Sequence, residues 1–229
     1  MQGLTQWLQQ LQFDSIFEVL LIVASSLICI TVHETCHGLV AYWFGDHTAK
    51  RAGRLSLNPL KHIDILGLIM MAVARFGWAK PVPVDMRQFH SPRLGMALTA
   101  LAGPVSNVLL MLLAVAARVP ILFFIYRNNS SLLEYILLFL DYTAVLSAGL
   151  AVFNLFPIPP LDGSKVLFSV LPGTVYAKLM RYERYGMLLL AALLFSNVLD
   201  TPLLYLRGLL LGFANTAVSP IAMLIGRFL

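Results

Sequence analysis

The chain has 229 residues, 59% of them hydrophobic and 12% charged, with a formal net charge of +5. A charged fraction about half that of a soluble domain excludes a water-soluble globule and points to a polytopic membrane protein. The basic residues lie between apolar runs rather than on one polar face, so they read as topology-setting charge and not as a nucleic-acid surface.

Met1 to Ser15 contains no Lys or Arg and so lacks the charged start of a cleavable leader; its leucines, Trp7 and glutamines fit a short interfacial segment. The first long apolar run, Ile16 to Phe44, carries His33-Glu34-Thr35-Cys36-His37. On a helix His33 and His37 stand one turn apart on one face, and Glu34 between them reaches a metal-bound water. Glu34 is adjacent to His33, which suits a base outside the ligand set better than a ligand. Cys29 and Cys36 are about two turns apart on this helix and cannot bridge, and Cys36 points away from the face the histidines share.

Arg51 to Asn58 alternates its side chains and Lys80 to Met86 carries prolines, so the pair predicts a strand and an edge strand of a small β-hairpin or sheet. Ile63 to Phe76 is apolar but too short to cross about 30 Å of hydrocarbon, and reads as a re-entrant segment. Further spans are predicted at Leu94 to Arg118, Leu132 to Phe153, Tyr185 to Leu199 and Leu203 to Ile225, giving an all-α protein of five or six transmembrane helices. Asp200-Thr-Pro202 is expected to form a hinge-like connection between the last two.

With the short run re-entrant, Lys50, Arg51, Arg54, Lys61, Arg75, Lys80, Arg87 and Arg93 share a side with Lys165, Lys178, Arg181, Arg184 and Arg227, while Arg118, Arg127 and Arg207 fall opposite. The positive-inside rule then puts the first group in the cytoplasm and the N-terminus outside. His33 to His37 would lie about 10 Å below the cytoplasmic surface, the rise of about seven helical residues.

A catalytic zinc takes three protein ligands and keeps a position for water. The helix supplies two. Asp162, in Pro159-Pro-Leu-Asp-Gly163 at the end of a span, is the best third by local chemistry, although the same turn suits an N-cap for Ser164 to Leu171. The bland alternative for the helix is a pair of buried histidines bonding neighbouring helices and a protonated Glu34, which asks one apolar helix to absorb three penalties.

Together these residues resemble the site-2 protease family of intramembrane zinc metalloproteases. HETCHG, Ala41 to Asp46, Gly53 to Asp64, Gly77 to Val84, Ala102-Gly-Pro-Val-Ser-Asn107 and Asn154 to Gly163 look like family blocks in the family's order. The resemblance implies one integral membrane peptidase domain over 1–229, with a three-helix catalytic core at about 16–171 and accessory helices at about 183–226. It implies one Zn2+ per chain on His33, His37 and Asp162, with Glu34 as base. It names Asn107 as a supporting residue, an interhelical hydrogen bond being the equal alternative, and leaves Asn154 between a site role and holding the Pro-rich turn. His62 with Asp64 reads as structural, and His47 and His90 as interfacial. Ile65 departs from a frequent proline, and the chain has no room for the PDZ or CBS domains of many relatives.

The function so implied is hydrolysis of a peptide bond in or near the transmembrane segment of a membrane protein, in a prokaryotic plasma membrane, with separate adaptors able to select substrates. The rivals are a catalytically silent zinc-binding scaffold and a transporter. Polar residues gathered toward one side, with few in the last spans, argue against a transport path.

Overall fold

A computed structural model describes residues 16–64, 79–128 and 130–226. The interfacial segment expected at 1–15 and the re-entrant run, from residue 65 onward, lie outside the described residues. Among those described, the chain forms seven α-helices: α1 (Ile16–Trp43), α2 (Thr48–Arg51), α3 (Pro92–Asn128), α4 (Ser131–Leu155), α5 (Asp162–Ser169), α6 (Gly173–Phe195) and α7 (Asp200–Gly226).

Four of these, α1, α3, α4 and α7, are long and apolar enough to cross a membrane. The run expected at Tyr185 to Leu199 stops at Phe195, the end of α6, and the chain turns at Ser196 to Leu199, where Asn197 adopts φ 59°. Asp200 to Pro202 form no hinge but the first turn of α7, a position that tolerates proline and favours an acidic residue. The span expected to end at Arg118 continues to Ile125, since Arg118 Nε pairs with Asp141 Oδ1 of α4 at 2.8 Å and need not sit at an interface.

The described residues form two compact units. The first comprises 16–29, 107–153 and 188–226. Its core is Met111, Ala114, Val115 and Val119 of α3, Ala144 and Ala148 of α4, and Ala214 and Val218 of α7. Small side chains dominate, as expected where lipid tails compete for every apolar contact and close backbone approach must supply the attraction. A polar seam joins α1 to α4: Ser25 Oγ donates to the Phe139 carbonyl at 3.3 Å, and Cys29 Sγ meets Ser147 Oγ at 3.1 Å. Such bonds contribute about 0.6 kcal/mol each, enough to set register.

The second unit comprises 30–64, 79–106 and 154–187. Neither segment expected as a strand is one. Residues 52–58 turn, with Asn58 Oδ1 capping a 3-10 turn at Pro59–Lys61, and 79–85 runs without regular structure into another 3-10 turn at Met86–Gln88. The reason lies in the donors: Pro81 and Pro83 have none, and Val82 N–H donates to the Glu34 carboxylate at 2.9 Å instead of to a neighbouring strand. Side chains stand in for the ladder. Asp46, fully buried, accepts from Thr48 N at 2.8 Å and Asp85 N at 2.7 Å, while His90 donates its ring N–H to the Phe44 carbonyl at 2.7 Å.

Candidate metal centre

His33 and His37 point the same way from α1, as the four-residue spacing requires, with their Nε2 atoms 3.0 Å apart. Asp162 Oδ2 lies 3.1 Å from each, and all three residues are buried. His37 Nδ1 is 2.6 Å from the Thr99 carbonyl, which can only accept, so the ring proton sits on Nδ1 and the Nε2 lone pair faces the other two donors. Burial opposes ionisation of Asp162, but the neighbouring His33 and His37 rings and the Lys165 charge outweigh it, holding the carboxyl well below the usual carboxylate range.

The turn that delivers Asp162 is tight. A Cβ on Gly163 would fall 2.1 Å from the Leu155 carbonyl oxygen, so only glycine fits between the end of α4 and the start of α5. Leu161, not Asp162, is the N-cap of α5 and makes no side-chain cap bond, which leaves the Asp162 carboxylate for the histidines. Lys165 Nζ stands 3.7 Å from its other oxygen.

These residues fit a zinc ion. Two imidazole nitrogens and a carboxylate oxygen are a common catalytic zinc set, and donors about 2.1 Å from a tetrahedral ion stand about 3.4 Å apart, close to the 3.0–3.1 Å triangle here. Room is left for it: a Cβ on Gly103 of α3 would lie 2.4 Å from His37 Nε2 and 2.6 Å from His33 Nε2. Cys36 is free and outside the group. His62 donates to or accepts nothing at this centre, its Nε2 lying 2.8 Å from the Ser56 carbonyl.

The centre opens into a cavity of about 480 Å³ bounded by Glu34, Val82, Val84, Met96, Asn154 and Lys165 beside the three ligand candidates. Asn107 is fully buried and is not among the residues lining it, whereas Asn154 is. Sequence reasoning missed Gly103, Lys165 and the Thr99 carbonyl. The first lay in a noted Gly-Pro motif and the second three residues from Asp162, but a backbone acceptor leaves no trace in side-chain pattern.

The profile of Peptidase family M50 matches residues 118–196. "Putative zinc metalloprotease YwhC" of Bacillus subtilis is 40% identical over 172 residues, 75% of this chain and 78% of that one. "Putative zinc metalloprotease Rip2" of Mycolicibacterium smegmatis is 29% identical over 188 residues, covering 79% and 69% of the two chains. An archaeal relative, "Putative zinc metalloprotease MJ0611" of Methanocaldococcus jannaschii, is 34% identical over 135 residues, 59% of this chain and 62% of its own. No solved structure matches.

Proposed function

The chain belongs to peptidase family M50, and from that premise we propose that this membrane zinc metalloprotease cleaves a peptide bond in or near a transmembrane segment of its substrate. The observation that carries the proposal is the buried His33–His37–Asp162 triangle on and beside a membrane-crossing helix, with Glu34 opening on the same cavity. His33, His37 and Asp162 would hold the metal. Bound zinc supplies Lewis acidity, bringing the pKa of its water to about 7.

Glu34 takes a proton from the attacking water and returns it to the departing amine, a role for which one turn of helix already gives it the reach. The substrate segment enters from the bilayer and unwinds, because helical hydrogen bonds otherwise occupy the backbone that must be attacked. The 79–85 segment, which lines the cavity with Val82 and Val84, gives an unwound substrate an apolar surface to lie against. Asn154, in the cavity wall, is better placed than Asn107 to bond substrate backbone. Lys50, Arg51 and Arg54 follow the metal helix directly, so the positive-inside rule favours a cytoplasmic active site and an external N-terminus in a prokaryotic plasma membrane.

The test is elemental analysis of detergent-purified protein together with cleavage of a tagged single-span reporter whose apolar segment contains helix-breaking glycine and proline. Wild type should hold about one zinc per chain and cut the reporter. Asp162→Ala should lose most of the metal, and Glu34→Gln should keep it while cleaving at least about 100-fold more slowly. Undiminished cleavage by Glu34→Gln would remove Glu34 from the mechanism.

A further inference from the structure

Arg54 is buried, 8% exposed, and among the described residues it has no carboxylate partner. Its guanidinium instead donates to three main-chain carbonyls, those of Lys61, Lys80 and Pro81. A buried cation without a counter-ion is costly, so the place where it spends its hydrogen bonds is informative. The Pro81 carbonyl and the Val82 N–H belong to one peptide group. That group is planar, with oxygen and hydrogen on opposite sides in its trans form, so fixing the oxygen fixes the direction of the N–H. Arg54 holds the oxygen at 3.3 Å, and the Val82 N–H points at Glu34 Oε2 across 2.9 Å. A cation at the negative end of a peptide dipole and a carboxylate at its positive end reinforce one another.

The surroundings hold the group in place on both sides. Lys80 N donates to the His62 carbonyl at 3.0 Å, Asp85 N is held by Asp46, and the two prolines at 81 and 83 restrict the backbone between. We propose that Arg54 is a positioning residue for the hydrolysis: through the Pro81–Val82 peptide group it orients the Glu34 carboxylate, engaging one oxygen and presenting the other to the attacking water. The proposal rests on the reading of Glu34 as base. It assigns Arg54 no contact with substrate or metal.

The experiment uses the full chain in detergent: wild type, Arg54→Met, Arg54→Lys, and Val82→Pro, which deletes the donor. Zinc content reports folding of the centre, hydrogen–deuterium exchange over 79–88 reports the Val82 amide, and the glycine- and proline-containing single-span reporter gives kcat and KM. The expected result is retained zinc in every variant, faster exchange in Arg54→Met, and kcat lowered about 10- to 100-fold in Arg54→Met and Val82→Pro with KM within about twofold. Arg54→Lys should be intermediate, since an ammonium cannot span three carbonyls. Unchanged exchange and unchanged kcat in Arg54→Met would overturn the proposal. If Arg54→Met fails to bind zinc, Val82→Pro decides: a wild-type kcat there overturns it, a lowered one with zinc retained supports it. A wild type that binds zinc but cuts nothing would sink the hydrolase reading, and the exchange comparison alone would then decide whether Arg54 holds the Val82 amide.

Discussion

The two units are held together by different means. In the unit of 16–29, 107–153 and 188–226, regular helices satisfy their own backbones and alanines let them close: Ala144, Ala148 and Ala214 are at most 1% exposed. In the unit of 30–64, 79–106 and 154–187, long stretches have no helix or ladder to satisfy them, and Arg54, Asp46, His90 and Asn58 each bind main-chain groups in place of one. The contrast teaches that a membrane protein departs from helix where side chains can replace the lost hydrogen bonds, and here the departure lies in the unit that holds His33, His37 and Asp162.

Substitutions in the two units should therefore fail differently. The largest effect is expected from Gly103→Ala, whose methyl would occupy the space beside both imidazole edges: zinc affinity should fall about 100-fold or more, read by competition with a chelator, with the helical circular dichroism unchanged. Wild-type affinity would show that the imidazoles are not confined as described. Ala148→Leu overpacks the other unit and should cost about 1–3 kcal/mol in unfolding in detergent, while one zinc per chain is retained. Loss of zinc in that variant would mean that the two units are not separable in function. The smallest effect belongs to Cys29→Ala, which removes the contact with Ser147; a stability change of about 0.6 kcal/mol and an unaltered cleavage rate are expected.

The His33–His37–Asp162 triangle was legible because each of its members broke a local rule: two histidines in an apolar helix, and an aspartate in a turn too rich in proline to be ordinary helix. The fold was legible where periodicity and length speak for whole helices, as in α4, whose Ser131–Leu155 bounds lie within two residues of the expected run. It was not legible at 51–58 and 80–86. Alternation at 51–58 and prolines at 80–86 suggest a strand and an edge strand, but strand formation depends on a donor's partner, and Val82 N–H finds Glu34, distant in sequence. Arg54 illustrates the same limit. It reads as one more topology-setting charge, and only the three carbonyls around it give it another meaning.

Several of the groups around this centre bind main-chain atoms: His37 the Thr99 carbonyl, Glu34 the Val82 amide, and Arg54 the Lys61, Lys80 and Pro81 carbonyls. A carbonyl survives every point substitution of its own residue, and an amide survives all but proline. Half of each bond is therefore beyond the reach of single-nucleotide change. Positions 80 and 99 can drift chemically as long as the backbone keeps its course, whereas 34, 37 and 54 have almost no neutral neighbours. Mutational tolerance around the centre should accordingly be uneven, permissive at the residues that supply backbone and strict at those that supply side chains.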